Sequence, residues 1–572
     1  MGPKASATPY RNMLLGMISI VCFFQLAGIA FSTRAYADEG IADKIRVKLE
    51  SVPAPGRVWV GCEIIHANGD LITFYKEHQF APLWVNDRGL NDLGRALPAQ
   101  LADSRLQGLD PKDYHLSCIN SGIKSLNSGL DSKKKPDNEE LADLDILMTD
   151  AFMVYASNLS VGRVDPEKLY PLWFSEKEKS DILAGMDKLI STRDLTGTIR
   201  SFAPAHEQYW HLVDAARSME DVIDAGGWPK LPDGENIRPG EQNPQVPLLR
   251  SRLQISGELE QGKAVAGSEL FDRVLEAAVK KFQLFHGLEP DGIVGPNTRS
   301  ELNVTAEQRR DQILLNLERW RWLHHKWEDN YIIVNAAAFS LTAHRSIKKI
   351  SMRVIVGMDL KRTPVFSRKM RYIEINPYWN VPRGIAMEEL LPKIQEDPGY
   401  ASKNDYEIIS GNNKINPRRI DWNTINADNF PWRIRQKPGD KNALGHIKFI
   451  FPNRFDVYMH DTPYRDLFLL ARRDLSHGCI RLQKPFELAL FILRADDPSW
   501  TRKRLEQLVR KRQREIIKIH ADWMVHFLYW TAWVNDKGQL RFCRDIYGRD
   551  PVLWAALNTE TTKPAQAVFS KQ

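Results

Sequence analysis

The segment Tyr458–Leu482 (YMHDTPYRDLFLLARRDLSHGCIRL) carries the strongest chemical signal in the chain: His460 and, after fifteen intervening residues, Ser476-His477-Gly478-Cys479. A thiol attacks a carbonyl only as the thiolate, and a free cysteine near pH 7 is mostly protonated. An imidazole within hydrogen-bond reach takes that proton and later returns one to a leaving amine. His460 is expected to end a strand and Cys479 to follow a turn, so a loop of this length can bring them together. Gly478 lets the backbone approach closely, which makes the amides around Gly478 and Cys479 candidate oxyanion donors. The chemistry implied is acyl transfer through a cysteine. A zinc site would need a second cysteine or a nearby carboxylate–histidine pair, and neither accompanies these residues. The local cysteine signature of papain-like proteases is also absent. The sequence calls for no metal and no cofactor.

These residues must be held by strands. Runs at Tyr331–Asn335, Phe339–Ala343, Met352–Val356 and Met370–Ile375 are β-branched or alternating, and Gly445–Phe451 and Phe455–His460 follow. Between them, 383–441 is polar, rich in Pro, Asn and Asp, and includes a helical stretch at Met387–Ile394. An insertion of 59 residues is too long for a plain connection and reads as a lid, with a decorative surface loop as the alternative. Trp500–Ile519 reads as a basic helix whose charges form a solvated face, and Met524–Cys543 as a closing hairpin around Asn535-Asp536-Lys537-Gly538.

Upstream, 38–235 reads as mostly helical. Leu141, Leu144, Met148, Ala151, Phe152, Tyr155 and Leu159 fall at spacings of three and four, one apolar helix face. Ser128–Glu140, with Lys133-Lys134-Lys135, is expected to be a solvated loop, and the proline-rich 229–247 a linker. A compact three-helix unit is expected at 246–303, with Val274, Ala278, Phe282 and Phe285 lining its second helix and Gly295-Pro296-Asn297-Thr298 starting its third. Glu318-Arg319-Trp320-Arg321-Trp322, with His324, His325 and Trp327, suggests either an aromatic or metal cage or, preferably, a helix packed between domains.

Composition sets the outer limits. The 572 residues are 43% hydrophobic, with 16 Trp, which excludes wholesale disorder. Only Met13–Phe31 approaches membrane-spanning length. Lys4 and Arg11 precede it and Ala35-Tyr36-Ala37 follows, the pattern of a signal peptide over 1–37, either cleaved or kept as an anchor. Its loss takes the net charge from +7 to +4, too little to support nucleic-acid binding. Residues 38–572 are therefore expected to be exported through the inner membrane. In an oxidising compartment Cys62 and Cys118 are candidates either for a disulfide or for two buried thiols, Cys479 must stay free, and Cys543 has no evident partner.

The His, fifteen residues, Ser-His-Gly-Cys spacing resembles the signature of L,D-transpeptidases with the YkuD-type catalytic domain. Asn376-Pro377-Tyr378-Trp379-Asn380-Val381-Pro382 and Asn442-Ala443-Leu444-Gly445 resemble strand-end motifs of that family. The string FQLFHGLEPDGIVGPNTRSEL (282–302) resembles a peptidoglycan-binding domain. The resemblance covers nearly the whole exported chain and is to the large Gram-negative members. One departure stands out: the family's common Asn two residues after the Cys is Arg481 here, as in many large members.

The resemblance implies a multidomain α+β protein: a mostly helical scaffold (38–235), a three-helix peptidoglycan-binding-like domain (246–303), and a mainly-β catalytic domain (330–500) with its lid (383–441). A C-terminal helix and hairpin (501–557) are expected to pack on the last. It further implies Cys479 as nucleophile, His460 as base and the Asp461 carbonyl as the third partner. Ser476, His477 and Gly478 would shape the oxyanion site, while Tyr458, Trp379 and Arg481 would line the substrate groove. The expected substrates are peptidoglycan tetrapeptide stems, as donor and acceptor, in the periplasm. Glycan-polymerising and D,D-carboxypeptidase enzymes are the expected associates, and carbapenems are expected to acylate the thiol. A carboxypeptidase, an amine-exchange enzyme and a catalytically silent wall-binding scaffold are the alternatives.

Overall fold

The computed structural model describes residues 39–559 except 52–55, 68, 132–135, 175–179, 261, 263–266 and 324–326. The signal segment, the Lys133–Lys135 loop and His324-His325 lie outside the described residues. The chain divides into two compact units: one runs to Val161 and takes in 180–203, the other holds 162–174 and Pro204 onward.

The first unit is helical around Asn138–Val161, a helix buried on nearly every face. At its centre the Asp145 carboxylate accepts hydrogen bonds from the Tyr75 hydroxyl (2.7 Å) and the Trp84 amide (2.7 Å), so a buried charge is matched by donors. The unit also contains a hairpin, Gly56–Val60 with Glu63–Ala67, which the helical reading missed. Cys62 at its turn forms a disulfide with Cys118, Cα–Cα 5.9 Å, within the usual range. The expected loop at 128–140 is narrower than its composition suggests, because the preceding helix continues to Asp131 and the next begins at Asn138.

In the second unit the boundary expected at 235 falls elsewhere. The helix Glu207–Asp224 packs on the helix Ala306–Arg321 and so belongs with the C-terminal unit. The three-helix module forms as expected over Val246–Ile255, Arg273–Phe285 and Pro296–Leu302. Its second helix is rotated from the expected face: Leu275 and Val279 are buried beside Ala278 and Phe282, while Val274 is exposed. The proline-rich stretch is no free linker, since Leu231 and Ile237 enter the module's core and Arg299 donates to the Pro232 and Glu235 carbonyls. The 306–321 helix does pack between domains: Trp320 stacks on Trp530 at 4.4 Å, and Glu318 accepts the Arg163 amide at 2.6 Å.

Residues from Asn330 to Leu528 build one eleven-stranded mixed sheet. In chain order its strands are β1 (Asn330–Asn335), β2 (Ser340–Arg345), β3 (Lys348–Gly357), β4 (Phe366–Lys369), β5 (Tyr372–Ile375), β6 (Ile447–Ile450), β7 (Met459–His460), β8 (Asp474–Ser476), β9 (Ile480–Leu482), β10 (Glu515–Lys518) and β11 (Met524–Leu528). They lie in the order β10-β5-β6-β7-β9-β3-β2-β1-β11-β4, with β8 beside the end of β3. The chain beyond 500 is thus built into the sheet. The basic helix stops at Arg510, and the β-branched Ile516 and Ile517 that follow extend as strand β10. Likewise 524–528 pairs with β1, leaving a shorter hairpin of Ala532–Val534 and Leu540–Phe542.

The 383–441 insertion is a folded subdomain. Four strands (Trp379–Asn380, Tyr406–Ser410, Asn413–Ile415 and Arg433–Gln436) and helical turns from Arg383 to Glu396 enclose their own core, with Leu390, Ile394, Ile408 and Trp422 buried.

The Cys62–Cys118 bond closes a loop of 56 residues, so replacing both cysteines by serine should cost the first unit about 2–4 kcal/mol. Chemical denaturation of the full chain, read by far-UV circular dichroism, should show that loss with Cys479 alkylation unchanged.

Candidate active site

Strand pairing brings the two chemical residues together. β7 and β9 run parallel with His460 opposite Arg481 and Met459 opposite Ile480, so Cys479 enters β9 beside Tyr458 and the base. The Ile480 amide donates to the Tyr458 carbonyl at 3.1 Å and ties the turn to that strand. His460 is buried, and its Nδ1 meets the Asp461 carbonyl at 2.5 Å. A carbonyl only accepts, so Nδ1 carries the proton and Nε2 presents a lone pair.

Asp461 is itself locked. Its carboxylate accepts the His446 amide (2.9 Å), its own neighbour Thr462 (2.7 Å) and the Arg465 guanidinium. Gly445 sits against that carboxylate at positive φ (59°), where a Cβ would stand 2.4 Å from Asp461 Cγ. This close approach is the reason for glycine at the end of Asn442-Ala443-Leu444-Gly445. Asn442 also holds the lid's exit by donating to the Pro377 and Lys437 carbonyls, while Asn376 donates to the Leu508 and Val509 carbonyls at a helix end.

The nucleophile turn rests on β3. A Cβ on Gly357 would lie 2.0 Å from the Lys361 carbonyl and 3.0 Å from Gly478 Cα. Thr363 bridges the two, accepting the Gly357 amide and donating to the Gly478 carbonyl, both at 2.9 Å. Tyr547 donates to the Gly357 carbonyl at 2.6 Å. Within the turn, Ser476 Oγ donates to the Cys479 carbonyl (2.6 Å) and accepts the Gly478 amide (3.1 Å). The Gly478 N–H is therefore occupied and not available as an oxyanion donor, contrary to the expectation from sequence. The Cys479 N–H makes no hydrogen bond among the described residues, and remains the candidate.

His477 points elsewhere. Its Nε2 meets Glu389 of the lid at 2.6 Å, so the lid is latched to the turn that carries the nucleophile. Tyr458 lies under the Lys448 ammonium (3.7 Å to the ring centre) and beside His460 (5.7 Å between rings). Trp379 stands at the root of the lid, on the strand paired with Arg433–Gln436. Arg481 is half-buried opposite His460. Lys448, Thr363, Gly357 and Tyr547 were not found from sequence. Only Lys448, a lone charge in an otherwise apolar strand, left any signal there.

Electrostatically the resting pair is neutral. Burial, with Arg481 adding to it, lowers the His460 pKa to about 3. Burial also raises the Cys479 thiol, opposed in part by hydrogen bonding at Tyr458 and by the Lys448 charge. No hydrogen bond joins Sγ to His460; the thiol meets the Asp456 carbonyl at 3.9 Å and hydrogen-bonds at Tyr458. A thiol turned from that carbonyl to Nε2 is what catalysis needs, and free enzymes often show this looseness. Among the described residues the one group of three His, Cys, Asp or Glu side chains with ligand atoms close enough to share a metal is Cys62, Glu63 and Cys118, where both sulfurs are already bonded to each other.

Residues 329–502 match the family model described as the L,D-transpeptidase catalytic domain. The chain carries an L,D-transpeptidase catalytic domain. Residues 242–302 match the model of the "Putative peptidoglycan binding domain", and 69–215 that of the scaffold domain. A "Putative L,D-transpeptidase" of Haemophilus influenzae is 36% identical over 255 residues, 44% of this chain and 50% of that protein. The match thus spans half of that relative's length. Crystal structures of L,D-transpeptidases from Xylanimonas cellulosilytica (residues 123–326) and Stackebrandtia nassauensis each cover 52% of this chain. They share 14% and 13% identity, cover 99% and 96% of those chains, and give TM-scores of 0.16 and 0.20, too low to carry any argument. The three domain matches and the sheet together make this a multidomain α+β protein with a helical N-terminal region.

Two outcomes test the site. With both groups neutral at pH 7, iodoacetamide should alkylate Cys479 about tenfold faster per pH unit from pH ~6 upward. A plateau from pH ~5 would instead mean a preformed thiolate–imidazolium pair. Separately, Glu389→Ala removes the latch, and hydrogen exchange over 383–396 should speed up roughly two- to fivefold. Unchanged exchange would mean that the ion pair holds nothing.

Proposed function

We propose that the L,D-transpeptidase domain joins peptidoglycan stem peptides by 3→3 cross-links through a thioester on Cys479. The observation that carries this reading is the fixed His460 tautomer, which leaves Nε2 as a base one strand away from the thiol. In the first half-reaction His460 Nε2 takes the Sγ proton as sulfur attacks the carbonyl of the third stem residue. The Cys479 N–H receives the developing oxyanion. Collapse breaks the amide bond, terminal D-Ala leaves with the proton from Nε2, and the thioester remains. In the second half the side-chain amine of a neighbouring diaminopimelate attacks the thioester and gives its proton to His460. The C–S bond breaks, and the thiolate is reprotonated from Nε2.

Arg481, half-buried beside the base, is assigned to a substrate carboxylate, and Tyr458 and Trp379 to the walls of the donor groove. Burial keeps His460 neutral well below physiological pH, so it is ready to accept a proton wherever the wall enzyme works. Peptidoglycan-acting domains place the chain's work outside the cytoplasm, and the periplasm is the compartment we assign.

Incubating the exported chain with disaccharide-tetrapeptides should release D-Ala and form dimers lacking it, as read by mass spectrometry. Release of D-Ala without dimers would make it a carboxypeptidase, and neither product would leave a scaffold. Cys479→Ala should abolish both products, and a carbapenem adduct should map to the peptide holding Cys479. Dimers that survive Cys479→Ala would refute the thioester.

A further inference from the structure

One rung of the sheet carries four charged or titratable side chains in a row. Directly opposed residues on neighbouring strands present their side chains to one face. The pairings run Glu374 on β5, Lys448 on β6, His460 on β7 and Arg481 on β9, so the imidazole has a cation on each side. Glu374, the one carboxylate of the row, is buried and already accepts the Arg514 guanidinium. Neither Lys448 nor Arg481 makes a hydrogen bond or a salt bridge among the described residues.

Lys448 is half-buried, and its ammonium rests on the Tyr458 ring, 3.7 Å from the centre. An aromatic face replaces an anion only in part. Burial lowers the Lys448 pKa from its ordinary value, with the Glu374 charge opposing the shift. A cation withdrawn from water without a matching anion in contact is costly, and a substrate that brings the anion recovers that cost. Lysine suits such a contact, because a compact charge on a flexible stem can swing from the ring to an arriving group.

The order of the strands says which substrate group arrives there. Cys479 enters β9 beside Tyr458, and Lys448 lies on β6, so nucleophile and ammonium stand on opposite sides of the strand that carries Tyr458 and His460. In the reaction proposed above, Sγ takes the scissile carbonyl carbon and His460 Nε2 protonates the leaving nitrogen. The atoms beyond that nitrogen are then directed away from β9, across β7 and toward β6. From β9 to β6 is two strand spacings, about 9.6 Å. An attack distance of ~3 Å, a span of ~4.5 Å from the scissile carbonyl to the next carboxylate, and a charge-assisted contact of ~2.8 Å fill a similar length.

We propose that Lys448 is the specificity-determining residue for the leaving group, moving its ammonium from the Tyr458 ring onto the free carboxylate of the residue that departs. The proposal rests on the cross-linking reaction stated above. Arg481, on the nucleophile's own strand, is left for a carboxylate on the acyl side of the scissile bond.

The test uses the exported chain carrying Cys479→Ala, so that binding is read without turnover. It is titrated calorimetrically with a disaccharide-tetrapeptide whose terminal D-Ala is either the free acid or the amide, two ligands of the same size with the same scissile bond. The free acid should bind about tenfold more tightly. Adding Lys448→Met should weaken the acid about tenfold and leave the amide within about twofold, which erases the preference, while Lys448→Arg should keep at least about a threefold preference. Arg481→Met should weaken both ligands by one factor and leave the preference in place. A parent that binds both ligands equally, or neither, would overturn the proposal. So would Lys448→Met that keeps the preference or weakens both ligands alike, as a merely structural role would, and so would a preference lost with Arg481→Met instead. Absence of dimers from the unsubstituted chain, beside an acid preference that depends on Lys448, would remove the cross-linking reading and leave the carboxylate contact standing.

Discussion

A neutral imidazole can activate a thiol only if the correct nitrogen is bare, and in this protein one buried hydrogen bond decides that. His460 Nδ1 meets the Asp461 carbonyl at 2.5 Å, and much of the surrounding architecture keeps that carbonyl still. The Asp461 side chain is gripped by the His446 and Thr462 amides and by Arg465, and Gly445 leaves it the space. The Asp461 amide in turn donates to the Ile447 carbonyl of β6 at 2.9 Å. The His460 imidazole is thus oriented by a neutral backbone dipole, with no second charge to desolvate. That choice suits a site so dry that a carboxylate partner would carry a heavy solvation cost.

The same sheet holds the nucleophile by steric closeness. Gly357 and Gly478 pack backbone against backbone, with Thr363 and Tyr547 pinning the contact. This makes the turn rigid on its inner side, while its outer side is held only by His477 and the lid's Glu389. The lid has its own apolar core, so it can shift as a body without unravelling. Its two ends are fastened at Trp379–Asn380 and at Gln436–Asn442, where Gln436 donates to the Asn404 and Lys441 carbonyls. Anchoring at both ends favours rocking of the whole body about those ends, which lie next to Trp379.

What could be read from sequence follows from how locally each feature is encoded. The His460 and Ser476–Cys479 spacing was legible because one parallel strand pair, β7 with β9, places both residues and the whole signature lies in a single stretch. The helix at 138–161 and the module's three helices were legible because periodicity records a buried face. The roles of Gly357, Thr363 and Tyr547 were not, since they meet the turn from positions 115 or more residues away from it in one case and beyond the end of the sheet in another. Strand β10 was hidden for a different reason: the charges of 510–515 extend the helical pattern of 502–510, and only pairing with β5 makes Ile516 and Ile517 a strand. The proline-rich 229–247 misled in the opposite sense, because Arg299 satisfies its carbonyls and Ile237 gives it a place in the core.

The chain must also keep two kinds of cysteine in one compartment. Cys62 and Cys118 are joined, whereas Cys479 and Cys543 are free, and burial pushes both free thiols toward the protonated form. Oxidation, like disulfide exchange, proceeds through the thiolate, so a thiol held neutral resists the chemistry that formed the first pair. For Cys543 burial adds a steric barrier to that protection. For Cys479 it comes with a kinetic cost, because the reactive ion is scarce until a proton acceptor is engaged. In the proposed reaction, His460 would meet that need once Sγ turns away from the Asp456 carbonyl. Activation in that reaction would therefore be tied to occupancy: the thiol stays protonated while the groove is empty and would become a nucleophile only when a stem is bound.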